Sequence, residues 1–129
     1  MYRAAVIGCG RIGCEFDDTR SKRGGLIYSH AGAYHNSSRV QLVGLCDTDR
    51  GKLHKYTTQY KVAGYTDYPT LLQESRPHIV SICTGPHMHY EIIEQCVQNG
   101  VKAIYCEKPL DSSLEEAQKS VELCEENGV

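Results

Sequence analysis

A chain of 129 residues falls near the modal size of one domain and can bury roughly 68% of the surface its unfolded form exposes. With 40% hydrophobic and 23% charged residues and a net charge of -2, the composition excludes disorder and collagen-like repeats, and residues 1–129 read as one ordinary domain. No apolar run reaches the roughly 18 residues of a membrane helix, the start lacks a signal peptide's apolar core, and scattered basic residues are outnumbered by acidic ones. The expectation is a cytoplasmic protein with no membrane and no nucleic-acid partner.

The first apolar run, Ala4 to Ile7, reads as a buried strand and leads directly into Gly8-Cys9-Gly10-Arg11-Ile12-Gly13. This is G-x-G-x-x-G. Gly8 permits the tight turn, Gly10 lets backbone approach a pyrophosphate, Gly13 allows close helix–strand packing, and amides at the helix start face the anion. From about residue 15 to 28 the pattern lapses into a charged stretch containing Gly24-Gly25, expected as a loop insertion that is either solvated surface or a lid. A second buried strand, Val40 to Cys46, is closed by Asp47. An acidic residue at this tip accepts hydrogen bonds from the adenosine ribose, usually about 20 positions past the last glycine. Here it comes about 14 later, an excess that the charged insertion accounts for. A carboxylate repels a 2′-phosphate, so NAD is favoured, with NADP left open by the nearby Arg50. A plain turn or helix-cap role for Asp47 is the alternative.

Helical spacing follows at Leu53, Tyr56, Thr57 and Tyr60, then a weaker strand around Val62 to Tyr65 and a strong one at Ile79 to Cys83. A helix with Ile92, Ile93, Cys96 and Val97 precedes a strand at Val101 to Cys106, and a last helix presents Leu114, Ala117, Val121 and Cys124. Strands alternating with helices give an α/β fold, a Rossmann-type doubly wound parallel sheet. Asn99-Gly100 ends one helix and Val101 opens a strand; Asn127-Gly128 repeats that stop before Val129. A further strand is therefore due, and the chain reads as the front part of a longer protein, a natural end on a frayed helix being the alternative. The seven cysteines are odd in number and show no C-x-x-C spacing. Cys9, Cys46, Cys83 and Cys106, at strand ends, read as small buried hydrophobes.

Two more clusters sit where a doubly wound sheet binds ligands, at the carboxyl ends of strands. In Thr84-Gly85-Pro86-His87-Met88-His89-Tyr90-Glu91, Thr84 and His89 would border the phosphates and nicotinamide of a dinucleotide. His87 and His89 also read as an H-x-H metal pair, but His30, His35, His54 and His78 supply no second motif, so no metal is expected. In Glu107-Lys108-Pro109 the lysine ammonium could polarise a substrate hydroxyl and stabilise the alkoxide formed as hydride leaves, while Pro109 restricts Lys108 to extended geometry.

Taken in order, Gly-Cys-Gly-Arg-Ile-Gly, Leu-Cys-Asp, Cys-Thr-x-x-His-x-His-Tyr-Glu and Cys-Glu-Lys-Pro-Leu resemble the N-terminal domain of the Gfo/Idh/MocA family. That family takes its name from glucose-fructose oxidoreductase, inositol dehydrogenase and rhizopine catabolism, and the resemblance covers almost the whole chain. It implies NAD(P)-dependent oxidation or reduction of sugars, polyols or related carbonyl compounds. By position it implies that Gly8, Gly10, Arg11, Ile12 and Gly13 hold the pyrophosphate, Asp47 the ribose, and Thr84 and His89 the dinucleotide further along. Lys108 falls at the reacting end as the catalytic residue and also among the cofactor-binding ones, with Glu107 supporting it and the cofactor ribose. A cis bond at Lys108-Pro109 is implied as well, as is a C-terminal domain carrying the substrate pocket and an Asp/His acid–base pair. Homo-oligomerisation stays open. The chain departs from the family in reading Thr84-Gly85-Pro86 where Thr-Pro-Asn is usual, and in its longer charged insertion. The alternative function is a free-standing dinucleotide-binding or sensing module without catalysis.

Overall fold

Apolar runs without polar alternation need neighbours on both edges and cover on both faces. The computed structural model, which describes residues 1–129 apart from the side chains of residues 20–23, gives both to the central runs and places the other two at the sheet's edges. Five strands, β1 (Tyr2–Ile7), β2 (Val40–Cys46), β3 (Ala63–Tyr65), β4 (Ile79–Ile82) and β5 (Ala103–Cys106), form one parallel sheet in the order β3-β2-β1-β4-β5. The central strand β1 pairs with β2 on one edge and β4 on the other, and its Ala4, Ala5 and Val6 are wholly buried. The Rossmann-type α/β fold expected from the sequence is the fold observed. Among the described residues no helix is long and apolar enough to cross a membrane.

Each face has its own core. Helices α1 (His30–His35) and α2 (Arg50–Tyr60) cover one, where Val6, Leu45, Leu53 and Tyr56 meet. Helices α3 (Tyr68–Ser75) and α4 (His89–Gln98) cover the other, against Ile7, Leu71, Val80 and Ile92. The last helix, α5 (Leu114–Asn127), packs beside α4. Its buried stripe is rotated in part from the expected one: Cys124 reaches the core as expected, but Leu114 and Val121 are 78% and 46% exposed, whereas Ser120 is buried and Leu123 reaches the core. The contact with α4 decides that rotation, and the apolar spacing alone does not.

The charged segment is also not the loop the sequence suggested. Residues Glu15–Arg23 form two short 3-10 helical pieces that meet at a kink at Thr19, followed by Gly24 and Gly25 at positive φ. Its attachment shows where it was inserted. Cys14 N–H donates to the Gly10 carbonyl at 2.9 Å, closing the first turn of a helix, and Phe16 N–H donates to the Arg11 carbonyl at 2.9 Å; the Ile12 and Gly13 carbonyls are then taken by His30 and Ala31, whose N–H groups reach them at 3.0 Å each. α1 thus continues the glycine turn as if the intervening segment had been spliced into one helix. The splice is fastened by Asp17, whose carboxylate accepts from the backbone N–H of Tyr28 at 2.7 Å and from Ser29 N–H and Oγ. Ser29 in turn caps α1 by accepting from Gly32 N–H at 3.0 Å. Outer contacts join the segment to α2: Glu15 with Lys52 at 2.8 Å, and Asp18 with Lys55 at 2.6 Å and with the Tyr56 hydroxyl at 2.8 Å. Exposed ion pairs of this kind contribute little each.

All seven cysteines are free. Cys9 and Cys46 are buried and Cys83 and Cys106 half-buried, and burial pushes the Cys46 thiol up to about 12, as expected of packing groups.

Replacing Asp17 with alanine leaves the Tyr28 and Ser29 donors without their acceptor. Asp17→Ala is expected to cost roughly 1–3 kcal/mol in urea unfolding and to make residues 15–28 the first site of limited proteolysis. Unchanged stability together with unchanged protease resistance would show that the ion pairs to α2 hold the segment instead.

Candidate dinucleotide site

Strand β1 ends in the glycine turn, and the three glycines do different work. A Cβ on Gly8, whose φ is +99°, would lie 2.6 Å from the Cys83 carbonyl oxygen, and one on Gly13 would lie 2.0 Å from the Gly8 carbonyl oxygen. Those two positions are closed by backbone. At Gly10 a Cβ would meet nothing within 4 Å. It would project into open space, so the bare backbone there is accessible to a ligand, which is the fit a pyrophosphate needs.

Gly8 and Gly10 border a cleft of about 440 Å³ at the carboxyl end of the sheet, which Asp47, Thr48, Asp67 and Thr84 also line. Asp47 is held from both sides: Oδ2 accepts from Cys9 N–H at 2.7 Å and Oδ1 from Asp49 N–H at 2.8 Å. A carboxylate oxygen accepts more than one hydrogen bond, so this oriented group keeps capacity for two vicinal hydroxyls. The bond from Cys9 also ties the end of β2 to the glycine turn.

The opposite wall, Thr66, Asp67 and Tyr68 at the β3–α3 junction, is missing from the sequence reading. Asp67 caps α3 by accepting from Thr70 N–H at 2.9 Å, with Pro69 in the first turn. The Asp-x-Pro start was the available signal. Hydrogen bonding from Thr70, side chain first and backbone next, holds the Asp67 carboxyl below its ordinary value. A second negative charge therefore faces the cleft at neutral pH.

The other expected residues are distributed as follows. Arg11 is exposed in the turn beside Ile12, and neither lines the cleft. His89 is fully buried at the start of α4. Its Nδ1 lies 2.9 Å from the Leu110 carbonyl and its Nε2 3.1 Å from the Thr84 carbonyl. The ring ties the Thr84 loop to the segment after β5, and neither nitrogen is left for a ligand. Gly85 stands where proline is usual in the Thr-Pro-Asn pattern, and a Cβ there would press on the His87 ring at 2.8 Å. His87 is exposed and does not share a ligand position with buried His89.

Glu107 and Lys108 leave the end of β5 and border a separate, shallower depression of about 310 Å³ with Tyr105. Lys108 is exposed, and its peptide bond to Pro109 is cis, as the resemblance implied. Glu107 is engaged by an unexpected partner, His30, at 2.8 Å. Two further polar groups stand behind it, Ser81 on β4 and Tyr34 on α1. No short-range pattern joins residues so far apart in sequence.

Comparison with known proteins matches residues 2–129 to the Gfo/Idh/MocA model, described as an oxidoreductase family with an NAD-binding Rossmann fold. The D-apiose dehydrogenase of Paraburkholderia graminis is 28% identical over 129 residues, covering 99% of this chain and 30% of its own length. The NAD(+)-dependent scyllo-inositol 2-dehydrogenase of Bacillus subtilis is 30% identical over 130 residues, covering 100% of this chain and 34% of its own length. A crystal structure of an Agrobacterium radiobacter oxidoreductase in complex with NAD+, L-tartaric acid and magnesium superposes with a TM-score of 0.77 at 25% identity, over 99% of this chain and 33% of that one. The chain thus spans about a third of the length of the relatives it matches.

The glycine turn gives a paired expectation. Gly13→Ala forces backbone apart and is expected to lower stability by about 2 kcal/mol or more. Gly10→Ala is expected to leave the thermal midpoint nearly unchanged and to weaken NADH binding about tenfold or more, by filling the space at the turn. Fluorescence titration beside thermal unfolding separates them; a Gly10→Ala chain that binds as well as wild type removes the turn from the site.

Proposed function

The chain belongs to the Gfo/Idh/MocA oxidoreductase family, and from that premise we propose that residues 1–129 are the cofactor-holding domain of a dehydrogenase. Its substrate class is a sugar, polyol or related carbonyl compound, as the dehydrogenase names of its relatives suggest. The observation that carries the reading is the oriented Asp47 carboxylate beside the open backbone at Gly10, both lining one cleft.

In this reading the Gly8–Gly13 turn, with Arg11 and Ile12, receives the pyrophosphate on backbone N–H groups. Asp47 accepts from the hydroxyls of the adenosine ribose. Thr84 flanks the dinucleotide further along, with the buried His89 shaping that loop. Glu107 takes the nicotinamide-side ribose and Lys108 the reacting hydroxyl. The nicotinamide ring, when bound, supplies or accepts the hydride. Lys108 polarises the hydroxyl and stabilises developing alkoxide charge with its ammonium group, a task that needs hydrogen-bond reach and exclusion of water. Lys108 is exposed within residues 1–129, so the substrate needs a second wall, supplied in this proposal by a C-terminal domain.

Cofactor choice follows from charge. A 2′-phosphate on the ribose would face Asp47 and Asp67 together, and like charges brought close repel. Calorimetry is expected to show NADH binding at least about tenfold tighter than NADPH, with Asp47→Ala reducing the difference to about threefold or less. Tighter NADPH binding by the wild-type chain would show that Arg50 outweighs both carboxylates.

Binding and turnover should separate. The 129-residue chain is expected to bind NADH yet oxidise no sugar or polyol, and Lys108→Ala is expected to leave its NADH affinity within a few-fold. Substrate-dependent NADH formation by the isolated chain would overturn the need for a second domain, and a chain that binds no NADH would overturn the cofactor reading.

A further inference from the structure

His30 opens α1 at the point where the inserted segment rejoins the glycine turn, and none of the roles above uses it. Its side chain is 13% exposed and reaches over the end of the sheet. Nε2 lies 2.8 Å from Glu107 Oε1, and Nδ1 lies 2.9 Å from Ser81 Oγ, which lies 2.7 Å from the Tyr34 hydroxyl. Tyr105 packs edge-on against the ring at 4.8 Å. Four polar side chains from α1, β4 and the end of β5 therefore make one unbranched hydrogen-bonded chain.

Donor counting gives the chain a direction. The Glu107 carboxylate only accepts, so Nε2 carries a proton. In the neutral ring Nδ1 then accepts from Ser81, which uses its single proton there and must itself accept from Tyr34. Burial pushes the Tyr34 hydroxyl above its ordinary value, which keeps that proton in place. The buried Ser81 has both bonds filled. A histidine whose second nitrogen is held in this way presents its other nitrogen in one orientation.

We propose that His30 is a positioning residue: it fixes the Glu107 carboxylate against β4 and so sets Glu107 and the adjoining Lys108 for the nicotinamide half of the dinucleotide. The proposal rests on the cofactor reading given above. Glu107 Oε1 is engaged by His30, and Oε2 remains for a ribose hydroxyl. The adenosine half lies among Asp47, Thr48 and Thr66, none of which bonds to His30. The two halves of the cofactor should therefore feel His30 unequally.

ADP, which reaches only the adenosine half, and NADH, which reaches both, are the probes for calorimetry on the 129-residue chain. His30→Ala is expected to weaken NADH about tenfold while ADP stays within twofold. His30→Gln, whose amide can still donate to Glu107, is expected to recover most of the loss, and Ser81→Ala to fall between. In ¹⁵N-histidine spectra of the wild-type chain His30 is expected as the Nε2–H tautomer. Equal losses for ADP and NADH would reveal a folding role only and overturn the proposal, as would unchanged NADH binding in His30→Ala or an Nδ1–H tautomer. A wild-type chain that binds ADP but not NADH, or neither, overturns the cofactor reading and the proposal together.

Discussion

The glycine turn has no room for a side chain between it and the sheet. With a Gly13 Cβ only 2.0 Å from the Gly8 carbonyl oxygen, and a Gly8 Cβ 2.6 Å from that of Cys83, backbone lies directly on backbone at the end of β1 and β4. This contact fixes where the following helix begins, hence where α1 stands and where His30 points. It also leaves Gly10 as the open stretch of turn at the cleft, with Asp47 locked beside it by the Cys9 N–H. The site is thus a product of close packing first and of polar chemistry second.

The central strands were legible because both their faces are buried. Val40–Cys46 matches to the residue, since the run and the pairing end together at the cleft. Val101, expected to open β5, is buried without being part of the strand, which starts at Ala103. An apolar residue reports burial, and burial extends beyond hydrogen-bonded pairing. The helices missed, α1 and α3, are six and eight residues long and bury two residues each, too few to establish a period. The charged segment misled in the opposite way: its composition is that of a solvated loop, but the carbonyls of Gly10 and Arg11 accept from Glu15 and Phe16 at its start, and Asp17 fastens its far end at Tyr28 and Ser29.

For the site, legibility depended on sequence distance. Gly8, Gly10 and Asp47 follow from a strand, a turn and a strand tip read in order. The His30–Glu107 contact joins residues 77 positions apart, and only the crossover that sets β4 between β1 and β5 brings them together. His89 shows a different limit. Its place in the motif was readable, but whether its ring faces a ligand or the protein depends on the Leu110 carbonyl, which belongs to a segment beyond the next strand.

The inserted segment leaves and re-enters the helix within a single turn, Cys14 bonding to Gly10 and His30 to Ile12. Its length is therefore decoupled from the geometry of the site: closing a longer excursion between the same two points costs only about 0.6 kcal/mol for each doubling. Gly24 and Gly25, exposed at its far end, form a permissive graft point, where a reporter or an additional recognition element can be carried beside the cofactor cleft while the helix that frames it keeps its register.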